Sequence, residues 1–300
     1  MEQPTTESIN KNTITMDEMS TMEIVETMIQ EDHIIHSVLK QNKQQLSEAI
    51  DLITSQWQKG GRVIVAGGAG TSGRIGVLDA VELGPTFSVP SDRWIALLAG
   101  GAEATWKPME QYEDSEEAIM DELDKLKLQD IDTVIAMTAS GSTPYAIAAL
   151  QYAKKVHAKR ISISCNSKTL ASEFSHIAIE LVVGAEVIRG STRLKAGTVQ
   201  KIALNILSTA TMIRLGKVYQ NEMIEMQLIN KKLVNRAVNT LMQLADISMN
   251  EAQSLMRQTN NNLKEALFMA LTHASLAETR NTLEVHQGHL KKAIHTYLSK

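Results

Sequence analysis

The sequence has one cysteine, Cys165, in 300 residues, which excludes an internal disulfide and any metal site built from several thiolates. In Ile161-Ser162-Ile163-Ser164-Cys165-Asn166 that cysteine is expected to end a buried strand, since no activating base stands beside it in sequence. No apolar run approaches the roughly 18 residues of a membrane span. The polar start, Met1-Glu2-Gln3-Pro4-Thr5-Thr6-Glu7, lacks the apolar core of a secretion signal, so a cytoplasmic protein with no membrane partner is expected. Thirty basic and 34 acidic residues leave a net charge of −4, without the long basic run that follows nucleic-acid phosphates, and no nucleic-acid partner is expected. The histidines include no HExxH pattern; His286 and His289 read as the polar side of the last helix, and no metal site is expected. Repeats and low-complexity segments are also missing.

What is present is an ordinary globular composition, 43% hydrophobic and 21% charged, enough to bury a substantial core. After a polar leader to about Ser20, helical patterns run over 22–29 and 33–57, with Gly60-Gly61 as a stop. From Arg62 the chain alternates: strand 63–66, helix 75–82, strand 94–99, helix 115–127, strand 132–137, helix 145–156, strands 160–165 and 177–183, and a long helix over 196–219. Such alternation predicts an α/β fold, a parallel sheet flanked by helices. Beyond Tyr219 the pattern is helical, with breaks near 247–248, 260–262 and 273–275. We divide the chain into residues 1–231, an α/β domain with N-terminal helices, and 232–300, a small C-terminal helical subdomain.

Three loops carry the chemistry. The first strand opens into Gly67-Gly68-Ala69-Gly70-Thr71-Ser72-Gly73-Arg74, where glycines admit close backbone approach, a helix N-terminus favours an anion and Thr71 and Ser72 add hydroxyl donors. Gly68-x-Gly70-x-x-Gly73 also satisfies the dinucleotide pattern. The second strand, however, ends in Ala99-Gly100-Gly101 with no acidic residue for a ribose, so a phosphate monoester fits better than NAD. A second loop, Thr138-Ala139-Ser140-Gly141-Ser142-Thr143-Pro144, crowds Ser140, Ser142 and Thr143 at a helix start, more hydroxyls than one cap requires. A third segment, 190–198, brings Ser191, Arg193 and Lys195 to the start of the long helix.

Together with Leu78-Asp79-Ala80-Val81-Glu82, the segment from Glu110 to Ser115, Ser164-Cys165-Asn166 and Gln200-Lys201, these motifs resemble the N-acetylmuramic acid 6-phosphate etherases over nearly the whole chain, the leader Thr6-Glu7 with Asn10 included. The resemblance implies a phosphosugar-binding sheet of the SIS type, a sugar-phosphate ligand, no cofactor, and removal of D-lactate from carbon 3 of the sugar. It aligns Glu82 with an acid that assists lactate departure and then activates water, and Glu113 with a second carboxylate, read here as the carbon 2 base. Gly70, Thr71, Ser72, Ser140, Ser142, Thr143, Ser191, Arg193 and Lys195 are the expected phosphate and substrate contacts. Ser142 stands where the family has an arginine, for which Arg74, Arg193 and Lys195 could compensate. The resemblance also implies a homodimer whose sites draw on both subunits. The competing readings are a non-catalytic sugar-phosphate sensor on the same sheet and an aldose–ketose isomerase, because fold alone does not settle activity.

Overall fold

A computed structural model of the chain describes residues 4–299. Two compact units result, one comprising the residues up to Val81 with Ser91–Ser208, the other Glu82–Pro90 with the residues from Thr209 onward. The division suggested by sequence at 231 is thus drawn differently by packing, because the ends of two helices join the helical unit. Among the described residues no helix is long and apolar enough to cross a membrane.

The first unit starts with helices α1 (Thr21–Asp32), α2 (Ile34–Gln41) and α3 (Lys43–Gln58). One continuous helix was expected over 33–57. Asn42 interrupts it: its backbone leaves the helical region at φ −92°, ψ 12°, and its Nδ2 donates to Val38 O at 3.0 Å and to Glu180 O at 3.1 Å, so the side chain bonds back to its own helix and ties the break to a residue of the sheet. Then come β1 (Val63–Gly67), α4 (Thr71–Phe87), β2 (Trp94–Leu98), α5 (Glu116–Lys125), β3 (Thr133–Met137), α6 (Pro144–Lys155), β4 (Lys159–Ser164), α7 (Leu170–Phe174), β5 (Ile177–Glu180) and α8 (Lys195–Arg214). The five strands form one parallel sheet in the order β2-β1-β3-β4-β5. Its central strands are buried from end to end, as the continuous runs Val63-Ile64-Val65-Ala66 and Val134-Ile135-Ala136-Met137 require when helices cover both faces. Cys165 directly follows β4 and is fully buried, which pushes its thiol pKa up and keeps it protonated.

Within this unit α4 and α8 are tied by a buried carboxylate. Asp79 Oδ1 accepts from Asn205 Nδ2 at 2.7 Å and from Ser208 Oγ at 2.8 Å, while Oδ2 has no partner. Burial outweighs these donors and raises the Asp79 pKa from 3.8 to about 6. A carboxylate whose folded pKa is raised contributes its stability in the protonated form, below the unfolded pKa, and loses it as pH rises through the folded value. The wild-type chain should therefore lose stability between pH 4 and 6 at this site, by up to about 3 kcal/mol. Asp79→Asn is expected to abolish that component, with melting temperatures of the two proteins diverging in its favour between pH 4 and 6 and the gap staying constant above.

The second unit opens after α8 with a hairpin the sequence pattern does not reveal. The long helix stops at Arg214 rather than near 219, because Gly216 takes φ +74° at the position where glycine commonly ends helices. Strands β6 (Val218–Tyr219) and β7 (Glu222–Met223) then pair antiparallel around Gln220, at φ +55°. Two-residue strands carry no readable period. Helices α9 (Lys231–Ala245), α10 (Met249–Gln258), α11 (Leu263–Thr272), α12 (Leu276–Val285) and α13 (Leu290–Leu298) follow. The breaks expected near 247–248, 260–262 and 273–275 are present, but a further one falls at 286–289, where Gln287 and Gly288 take φ +51° and +78°, so His286 and His289 flank this turn and do not lie on the last helix. Asp246 and His273 take left-handed conformations, and Ser248 with Glu251 and Ser275 with Glu278 form reciprocal capping boxes. Leu241, Leu267 and Phe268 form the centre of this unit's core, and Glu225 pairs with both Lys217 and Lys264.

Candidate active site

In a sheet ordered 2-1-3-4-5 the chain leaves β1 toward one side and returns to the other, which opens a crevice beyond the carboxyl ends of β1 and β3. Gly67 pairs with Met137, so the first two loops leave the sheet side by side. They border a cavity of about 420 Å³ lined by Gly68, Gly70, Thr71, Ser72 and Arg74, by Thr138, Ser140 and Thr143, by Gly190, Ser191, Thr192 and Arg193, by Glu110 and Glu113, and by Thr6 and Glu7 of the leader.

Glu113 is built into this cavity by main-chain contacts. Its N–H donates to Glu110 O and its carbonyl accepts from Tyr145 N, each at 3.0 Å, so the residue is fixed against the start of α6. Its Oε1 accepts from Gly70 N at 3.1 Å. Gly68 is what admits the carboxyl group, because a Cβ there would stand 2.4 Å from Oε1. Burial raises the Glu113 pKa, and the nearby Glu110 and Asp114 charges add to the rise, while the Gly70 and Ala69 amides oppose it. The glycine loop thus gives one of its amides to a carboxylate whose proton affinity is raised, which is the setting a general base needs.

The second loop is a hydroxyl cluster. Thr138 Oγ1 lies 2.8 Å from Thr143 Oγ1 and 3.2 Å from Ser140 Oγ, and Thr143 precedes α6 without capping it by its side chain. Hydroxyls can reorient their protons toward an anion, and the helix dipole favours one here. Ser72 Oγ donates to buried Gln200 Oε1 at 2.7 Å. Ser142 is exposed and does not line the cavity; its Oγ donates to Ser140 Oγ at 3.2 Å.

The third segment divides. Ser191 and Arg193 reach the cavity. Lys195 does not: it is 3% exposed, and its Nζ donates to Glu31 Oε2 at 2.6 Å. The amides of Lys195 and Ala196 go to the fully buried Glu186 carboxylate, at 3.0 and 2.9 Å, so the N-terminus of α8 is capped from within the protein. Arg74 lines the cavity, with its guanidinium held by Ala104 O and Lys107 O. Of the cations considered as replacements for an arginine at 142, Arg193 is therefore the one at the cavity without such anchoring among the described contacts. Glu82 is exposed, about three helical turns beyond Thr71 on α4, and is not among the lining residues.

Thr138, Gln200 and Glu7 belong to the constellation without having been singled out as site residues. Thr138 lay inside the hydroxyl-rich loop, and Gln200 on the helix after the third segment, so position offered a signal for both. For Glu7 local sequence offered none, because a polar leader without period does not show where it docks.

Comparison with known proteins bears on the family and the fold. The model of the glucokinase regulatory protein N-terminal SIS domain matches residues 45–154, and the SIS domain model matches residues 107–210. The chain is 50% identical to N-acetylmuramic acid 6-phosphate etherase 2 of Bacillus licheniformis, over 96% of this chain and 97% of that one. It is 43% identical to the N-acetylmuramic acid 6-phosphate etherase of Bacillus cytotoxicus, over 98% of this chain and all of that one. A crystal structure from Listeria monocytogenes, provisionally called a sugar-phosphate isomerase, superposes with a TM-score of 0.50 at 16% identity, covering 69% of this chain and 93% of its own. That likeness concerns the fold alone.

Proposed function

This chain belongs to the N-acetylmuramic acid 6-phosphate etherase family, and from that premise we propose that it is a carbon–oxygen lyase. It cleaves the D-lactyl ether of N-acetylmuramic acid 6-phosphate to give N-acetylglucosamine 6-phosphate and D-lactate. The observation that carries this reading is the placement of Glu113, with its raised pKa, in the same cavity as the hydroxyl cluster at the start of α6. A phosphate held by Ser140 and Thr143, with Thr71, Ser72, Ser191 and Arg193 around it, leaves the rest of the sugar to reach the carboxylate.

In the open-chain sugar the carbon 2 hydrogen is acidified by the neighbouring aldehyde. Glu113 takes it, the electron pair forms the carbon 2–carbon 3 double bond, and the carbon 3–oxygen bond breaks. Glu82 protonates the departing lactate oxygen, then removes a proton from water as its oxygen adds to carbon 3. Return of a proton to carbon 2 completes the product. Each proton transfer of this kind contributes about 10²–10⁴ in rate.

Glu82 takes part, on this reading, from a second subunit of a homodimer. Leu78, Val81 and Glu82 share one face of α4 by their spacing, and Leu78 and Val81 are 51% and 60% exposed, an apolar surface suited to a second copy around an acidic group. We place the reaction in the cytoplasm, in recycling of cell-wall amino sugars. The direct test is incubation of the purified protein with N-acetylmuramic acid 6-phosphate and an enzymatic assay for D-lactate. Stoichiometric lactate supports the reading; a ketose product without lactate would establish the isomerase instead, and binding without turnover the sensor.

A further inference from the structure

Gln200 takes no part in the chemistry set out above, yet its side chain touches the cavity's first loop. It stands on α8 and is fully buried. Its Nε2 donates to Ile163 O at 3.4 Å, on β4, and its Oε1 accepts from Ser72 Oγ at 2.7 Å, at the start of α4. Ile163 O also takes the N–H of Thr138, the first residue of the hydroxyl loop, at 3.1 Å.

These partners fix where the protons lie. A carbonyl oxygen only accepts, so the amide faces Ile163 with its nitrogen; reversed, it would set oxygen against oxygen. The amide oxygen is then left to Ser72. That oxygen has no proton to give, so the bond between them uses the one proton of the Ser72 hydroxyl, at a separation normal for a well-formed O–H···O bond. Swinging the proton toward a ligand would strand Gln200 Oε1 out of reach of water, and buried acceptors are seldom left unpaired. Ser72 is partly buried and lines the cavity, and what its Oγ offers there is lone pairs. A fully ionised phosphate ester carries acceptors only and gains nothing from them. The hydroxyls and acetamido N–H of an amino sugar do.

We infer that Gln200 is a positioning residue: it commits the Ser72 proton inward, so that Ser72 meets the substrate as an acceptor for a hydroxyl or N–H of the sugar, while the hydroxyl loop before α6 serves the phosphate. This deepens the proposed function and rests on the cavity being a sugar-phosphate site. The test uses the full-length protein at about pH 8, where a phosphate ester, with a second pKa of about 6, has no proton to donate. Calorimetry gives the affinity for N-acetylglucosamine 6-phosphate, and its displacement gives that for methyl phosphate, an ester without a sugar. Ser72→Ala should weaken the sugar phosphate about three- to tenfold, the worth of one neutral hydrogen bond, and leave methyl phosphate unchanged. Gln200→Met releases the Ser72 proton to the phosphate, so methyl phosphate should bind about threefold tighter than to wild type, and the gain should vanish when Ser72→Ala is added. Equal weakening of both ligands by Ser72→Ala would mean a proton aimed at the phosphate and not held by Gln200, which overturns the assignment without any variant at 200. Unchanged sugar-phosphate affinity in Ser72→Ala overturns it too, and so does a Gln200→Met protein that binds both ligands less well whether or not Ser72 is present, the mark of a residue that only supports the fold. Wild type that binds no sugar phosphate refutes the cavity as the site and this assignment with it; wild type that binds it without releasing lactate refutes the etherase reading alone, and the Ser72→Ala comparison still decides the role of Gln200.

Discussion

Glu82→Gln is expected to release D-lactate about 10²–10⁴ times more slowly than wild type, because an amide can neither protonate the leaving oxygen nor activate water. Binding of N-acetylglucosamine 6-phosphate should stay within a few-fold and the melting temperature within a few degrees, since Glu82 is exposed and surface changes of this kind cost little. Calorimetry and a lactate assay on the same preparation separate the two effects. Mixing tests the subunit arrangement. Glu82→Gln and Glu113→Gln proteins, each inactive alone, should recover about a quarter of wild-type activity after subunit exchange, since about half the dimers are mixed and each mixed dimer has one site with both carboxylates. No recovery despite demonstrated exchange would place both groups in one subunit's site, and wild-type turnover by Glu82→Gln would remove that residue from the mechanism.

Glu113→Gln should lose a comparable factor, through a different step. The amide oxygen can still accept from Gly70 N, so the loop is expected to keep its shape and the sugar phosphate its site. Carbon 2 deprotonation is what fails, and exchange of that hydrogen with solvent should disappear with it. The pH dependence has a definite sign. Glu113 acts as a base only when ionised, and burial raises its pKa above 4.5, so wild-type activity should fall on the acid side at a pH above that of an ordinary glutamate. For the same reason the ionised side chain costs stability at neutral pH, and Glu113→Gln is expected to melt no lower than wild type at pH 7. Melting well below wild type would mean that Glu113 holds the loop together rather than serving the reaction.

The sheet was legible because its strands are short, largely apolar runs and those next to the site give way to loops rich in glycine or hydroxyls, Gly67-Gly68 after β1 and Thr138-Ala139-Ser140 after β3. The partner of the glycine loop was less so. Sequence shows Gly70 as a free donor for an anion, whereas the fold brings Glu113, distant in sequence, to that amide. Lys195 reads as a phosphate ligand by its neighbours, but Glu31, on a helix far earlier in the chain, takes its charge. Both cases turn on long-range pairing, which neither period nor spacing encodes. Asn42 and Gly216 are different: local chemistry stops the helices there, and the signals were outweighed by the apolar pattern running past them. The leader's docking on Asn166, whose side chain bonds to Thr5 and Thr6, had no local signature at all.

The central claim, that lactate leaves by elimination and water then adds, is tested most directly by running the reaction in deuterated, oxygen-18 water and taking the mass and NMR spectra of the N-acetylglucosamine 6-phosphate formed. The account predicts deuterium at carbon 2 and solvent oxygen at carbon 3 in the product. A product that keeps its original hydrogen at carbon 2 and its original oxygen at carbon 3 would contradict it.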